Sequence, residues 1–109
     1  MKPDHEKSSG NVFADLGFRN AGQELLKAQL TVEIYKLLKA RGVTQQEAAK
    51  LLGTTQAQVS ALMRCQRVSV SVGRLMEFLT ALGQDVRVTL KPAPRKRKAG
   101  DMSVVVQAA

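Results

Sequence analysis

The stretch that decides the fold reads Gly42-Val-Thr-Gln-Gln-Glu-Ala-Ala-Lys-Leu-Leu-Gly53 and runs on through Thr54-Thr-Gln-Ala-Gln-Val-Ser60 to Arg64. Thr44 to Glu47 is a capping-box sequence: the Thr44 hydroxyl can accept from the Glu47 amide while the Glu47 carboxylate reaches back to the Thr44 amide. A helix starts there, with Ala48, Ala49, Leu51 and Leu52 as its apolar face, and Gly53 stops it after about eight residues. Thr55 can cap a second helix from Gln56 to about Arg64, with Val59 and Leu62 pointing inward. Where two such helices cross closely the side chain must be small, and Ala49 stands four residues after Gln45. The turn needs a positive φ, which Gly53 supplies. Helix, glycine turn and helix is the arrangement that lays one helix across a DNA backbone and the next in the major groove.

Other helices flank this pair. From about Ala21 to Ala40, Leu26, Leu30, Ile34 and Leu37 or Leu38 recur at helical spacing, Asn20 can serve as N-cap, and Gly42 follows Lys39 and Arg41 as a stop. Ser71 can cap a last helix whose stripe is Val72, Leu75, Met76, Leu79 and Leu82, with Gly83 ending it. Asp85 to Leu90 then alternates Val86, Val88 and Leu90 against Arg87 and Thr89, a half-buried strand pattern. A lone strand leaves its edges unsatisfied, so pairing with the same strand of a second subunit in a homodimer is the favoured expectation; an extended segment packed on one subunit's helices is the alternative. The expected class is thus all-α with one C-terminal β-strand, organised as a flexible start at 1–10, a DNA-binding domain at 11–90 and a basic flexible tail at 91–109.

Charge points the same way. Lys and Arg number 17 against 9 Asp and Glu, a net +8, which favours a polyanionic partner or an anionic membrane surface. Half of that excess lies in 91–109, where Lys91, Arg95, Lys96, Arg97 and Lys98 face only Asp101. With Pro92, Pro94 and Gly100 in the same run, this reads as a tail that either aids solubility or contacts phosphates without selecting a sequence. No apolar run approaches the roughly 18 residues of a spanning helix, and the polar start is unlike a signal peptide, so a cytoplasmic protein without membrane association is expected.

Catalysis and cofactors find little footing. His5 sits in Asp4-His5-Glu6, whose adjacent ligands cannot close a tetrahedral metal site alone, so no metal and no cofactor are expected. Cys65, the single cysteine, rules out an internal disulfide, and beside Arg64 and Arg67 it reads as a spacer at a helix end before a redox thiol. No catalytic constellation emerges, and an enzyme is not expected.

From Gly42 to Ser60 the chain resembles the helix-turn-helix domain of the phage-repressor and xenobiotic-response-element (XRE, Cro/C1-type) family. The resemblance implies a lambda-repressor-like domain that binds double-stranded DNA as a transcriptional regulator. Over a wider span, Asn11-Val-Phe-Ala-Asp-Leu-Gly-Phe18, Ala28-Gln29-Leu30, Phe78-Leu-Thr-Ala-Leu-Gly83 and Asp85-Val-Arg-Val88 look like small HigA-like antitoxin regulators. That likeness implies a repressor of its own operon and, as the alternative role, neutralisation of a RelE-fold ribonuclease toxin. Val12, Phe13, Leu16 and Phe18 would either cover the domain's own core or dock on such a partner. One departure stands out: family members often have Gly near the position of Cys65 at the end of the recognition helix.

On the DNA reading, Gln56 can bond adenine N6 and N7 together, Ala57 can touch a thymine methyl, and Ser60 with Ala61 lies one turn further along the same face. Gln45 and Thr55 would hold phosphates through side chains and helix N-terminal amides, and Arg64 and Arg67 would add charge at the backbone. Ala49, Gly53, Val59 and Leu62 are the scaffold.

Overall fold

The structure is a computed structural model that describes residues 21–66, 68–97 and 99–107. Its elements are α1 (Ala21–Arg41), α2 (Gln45–Leu52), α3 (Gln56–Met63) and α4 (Val72–Ala81). None of these helices is long and apolar enough to cross a membrane.

The chain divides into two compact units, and the larger one, Lys27–Arg87, holds most of α1 and all of α2 to α4. Its core is aliphatic except at Phe78: Leu30, Ile34 and Leu38 from α1, Ala48, Ala49 and Leu52 from α2, Val59 and Leu62 from α3, and Leu75, Phe78, Leu79 and Leu82 around α4. Val68 adds a buried anchor in the loop between α3 and α4. Thr31 is buried among these apolar groups at no hydrogen-bonding loss, because its Oγ1 donates to the Lys27 carbonyl one turn back at 2.8 Å.

The helix ends follow the sequence closely. Thr44, Thr55 and Ser71 each hold extended backbone, and each side-chain oxygen accepts from the amide three residues on. Gly42, Gly53 and Gly83 all take the left-handed conformation beyond helix ends. After α2 the Thr54 amide donates to the Ala49 carbonyl and that of Gly53 to Lys50, and after α4 the Gln84 and Gly83 amides repeat the pattern to Leu79 and Thr80. Arg41 Nη2 donates to the Leu82 carbonyl at 3.3 Å, joining the C-terminal ends of α1 and α4.

The smaller unit, Met1–Leu26 with Val88–Ala109, contributes to the described residues the opening of α1 and a C-terminal stretch without helix or strand. A turn there is closed by the Arg97 amide donating to the Pro94 carbonyl at 3.0 Å, and the Arg97 guanidinium pairs with Asp101.

One expectation is overturned. The regular structure of the described part is all-helical, and Asp85 to Leu90 joins no strand ladder there. Alternation shows which residues could share a face, but a strand exists only where another backbone takes its hydrogen bonds. Within this chain Val86 is half-buried while Val88 and Leu90 are 71% and 91% exposed. The strand of Val86, Val88 and Leu90 is therefore withdrawn.

Candidate nucleic-acid interface

The turn between α2 and α3 is fixed from several directions. Gly53 sits at φ 69° and ψ 40°, the left-handed region that an L side chain enters only with strain. Space is not the reason for glycine, since a Cβ there would meet nothing closer than Arg74 Nη2 at 3.7 Å. On the inner side Ala48, Ala49 and Leu52 face Val59 and Leu62 with all five buried, so the angle between the helices is set by close packing. The capping box is complete, with the Thr44 hydroxyl accepting from the Glu47 amide at 3.0 Å and the Glu47 carboxylate accepting from the Thr44 amide at 2.8 Å.

Arg74 braces the turn from outside. Its Nη2 donates to the Gly53 carbonyl at 2.7 Å, its Nη1 to Glu77 Oε1 at 2.9 Å, and its guanidinium lies 4.9 Å from the centre of the Phe78 ring. Sequence reading missed this residue, because the contact with Gly53 spans 21 positions. The only local hint was the spacing of Arg74 from Glu77 and Phe78 on one helix.

On the outer side α3 presents the residues expected to read bases. Gln56 and Ala57 are exposed in the first turn, and Ser60 and Ala61 are half-buried one turn on. Thr55 is exposed, and its hydroxyl oxygen accepts from the Gln58 amide at 3.1 Å, which leaves the hydroxyl proton free to donate outward. Gln45 is exposed at the first position of α2. Arg64 is exposed just beyond α3 and folds back on that helix, donating from Nη2 to the Ser60 hydroxyl. The structure thus brings together Gln45, Thr55, Gln56, Ala57, Ser60, Ala61 and Arg64 on one helix pair over the scaffold of Ala49, Gly53, Val59 and Leu62.

Other expected residues lie elsewhere. Arg67, Lys98 and the apolar segment of Val12, Phe13, Leu16 and Phe18 fall outside the described residues, as does His5. Lys91, Arg95 and Lys96 are exposed in the smaller unit, where Arg97 is engaged with Asp101. Among the described residues no three His, Cys, Asp or Glu side chains gather as a metal site would require.

The end of α3 accounts for the departure noted at Cys65. Cys65 has φ 52° and is the one non-glycine residue among those described with a positive φ. Its amide donates to the Leu62 carbonyl and that of Gln66 to Ala61, both at 3.0 Å, the same closure that Gly53 and Gly83 make after α2 and α4. The left-handed stop is kept although the glycine is not.

These features define a helix-turn-helix protein. Residues 12–91 match the family model described as a helix-turn-helix domain, and the chain belongs to that family. A solved structure whose name assigns it to the XRE family of transcriptional regulators is 35% identical, with a TM-score of 0.74 over 82% of this chain and 100% of that one. The motif is accordingly of the XRE type, in a family of transcription regulators that are generally not enzymes. No curated protein matches the chain.

Proposed function

We propose that the protein is a sequence-specific DNA-binding repressor of its own operon, reading a palindromic operator in the major groove. The observation that carries this reading is the outer face of α3: Gln56 and Ala57 exposed and uncharged at its start, on a helix held rigidly to α2. Uncharged side chains at the front of such a helix distinguish bases by hydrogen bonds and methyl contacts, while affinity comes from groups around them that meet phosphates. Gln45 and Thr55, each at a helix start, supply side-chain donors and free backbone amides for those phosphates, and Arg64 and Arg67 add charge.

An eight-residue helix reads only a few base pairs, so useful specificity needs two copies on one duplex, with half-sites about 34 Å apart or a multiple of that. The toxin-binding role implied by the HigA-like resemblance would fall to Val12, Phe13, Leu16 and Phe18, outside the described residues, or to the long helix α1, and the regulator reading is the one the geometry of α2 and α3 supports.

A salt-titrated gel shift against the DNA upstream of the gene tests the proposal. The wild-type protein should prefer that DNA over random duplex, and Gln56→Ala should lose about 1–3 kcal/mol on the preferred site and relax one base position. Equal loss on specific and random DNA would refute readout by Gln56.

A further inference from the structure

Arg64 and Ser60 hold each other, and this changes what Arg64 can do. Arg64 Nη2 donates to the Ser60 hydroxyl, and Nε approaches the Ser60 carbonyl at 3.4 Å. Both contacts use one edge of the guanidinium, the side edge formed by Nε and Nη2. Among the described residues the end edge, formed by Nη1 and the second Nη2 hydrogen, takes no further hydrogen bond and no ion pair. An end edge with two parallel donors is the shape that matches O6 and N7 of guanine in the major groove. Ser60 is one turn from Gln56 and Arg64 one turn further, so the anchored guanidinium is laid along the face that begins with Gln56 instead of trailing toward the flanking backbone.

The geometry points to Arg64 as a guanine-reading residue and to Ser60 as the positioning residue that aims it. A plain cap at the end of α3 would be served by the carbonyl contact alone, since a cation there already suits the helix dipole. The hydroxyl contact adds direction: it removes rotamer freedom that a free arginine would lose on binding. This inference rests on the DNA-binding reading and gives it a base: an operator half-site with an adenine opposite Gln56 and a guanine nearer the end of α3.

The test is selection from a pool of randomised duplexes with the full chain, comparing wild type with Arg64→Lys, Ser60→Ala and Ser60→Thr, all confirmed as folded by circular dichroism. The wild type should select guanine at one position of each half-site. Arg64→Lys, which keeps the charge but not the fork, should reduce that preference about tenfold without altering the position read by Gln56. Ser60→Ala should relax the same guanine, and Ser60→Thr, which keeps the hydroxyl, should retain it. If Arg64→Lys gives the wild-type base profile, Arg64 acts only as a charge and the inference is overturned. It is overturned equally if Ser60→Ala relaxes a different position. A wild-type protein that selects no sequence would overturn the DNA-reading proposal itself, an outcome distinct from the other two.

Discussion

The Arg74 guanidinium donates to the Gly53 carbonyl at 2.7 Å, tying the first turn of α4 to the turn that joins α2 and α3. A carbonyl just past a helix end carries part of that helix's negative pole, and a cation placed on it is stabilising. The same side chain stacks on Phe78, the largest side chain in the fully buried core, so the turn is referenced to the core through one residue. Replacing Arg74 by Met should cost about 1–2 kcal/mol in denaturant unfolding, because a charge-assisted bond and a cation–π contact go together. Glu77→Ala, which removes only an exposed ion pair, should cost about 0.5 kcal/mol or less. Equal losses for the two would mean that the Gly53 contact contributes nothing.

Two glycines in the same region should respond with opposite signs. Gly53→Ala forces a Cβ into the left-handed region and should destabilise by about 1–2 kcal/mol, even though the added carbon has room. Gly73 lies inside α4 with ordinary space around it, its nearest neighbour being Ser71 Oγ at 3.9 Å, so Gly73→Ala should stabilise by about 0.5–1 kcal/mol. Thermal unfolding of the two variants beside wild type checks both signs.

These positions also show how much of the molecule was legible in the sequence. Thr44, Thr55 and Ser71, and the glycines that end α2 and α4, act on neighbours within a few residues, so their roles can be read from spacing alone. Val59 and Leu62 were legible for the same reason, as was the outer face that begins with Gln56. What could not be read depends on contacts distant in sequence. Arg74 meets Gly53 across 21 positions, Val68 is buried by neighbours that a loop pattern does not name, and a strand at Val86 to Leu90 would have required a partner backbone that no alternation can supply. The Arg64–Ser60 pair is a middle case: the two lie one helical turn apart, within reach by sequence, but the choice of guanidinium edge is a matter of side-chain rotamer.

Cys65 offers a gain in stability. It holds φ 52° where α2 and α4 place a glycine, and its thiol is exposed rather than packed in the core. Cys65→Gly should relieve about 1–2 kcal/mol of strain and give back part of it to the greater freedom of the unfolded chain, for a net gain of about 0.5–1 kcal/mol. Cys65→Val, with a branched side chain in the same conformation, should lose stability instead. Urea midpoints for the three proteins should fall in the order Gly above Cys above Val, and a Val variant as stable as wild type would contradict a left-handed Cys65.

The basic tail should contribute affinity without selectivity, which is a separable property. Lys91, Arg95 and Lys96 are exposed, Lys91 just before Pro92 and the other two at the centre of the turn that Arg97 closes on Pro94, whereas Arg97 is partly spent on Asp101. If the first three each neutralise a phosphate, changing all of them to Gln should lower the slope of log affinity against log salt by up to about 3, since each neutralised phosphate is worth roughly 0.9. Affinity at low salt should fall on operator and random duplex alike, leaving the ratio between them where it was. Asp101→Asn should act in the opposite direction by releasing Arg97 for a fourth phosphate and steepening the slope by up to about 1. A salt titration that shows no change for the triple variant would assign the tail to solubility instead, and a change in the specific-to-random ratio would place it in the base-reading part of the interface.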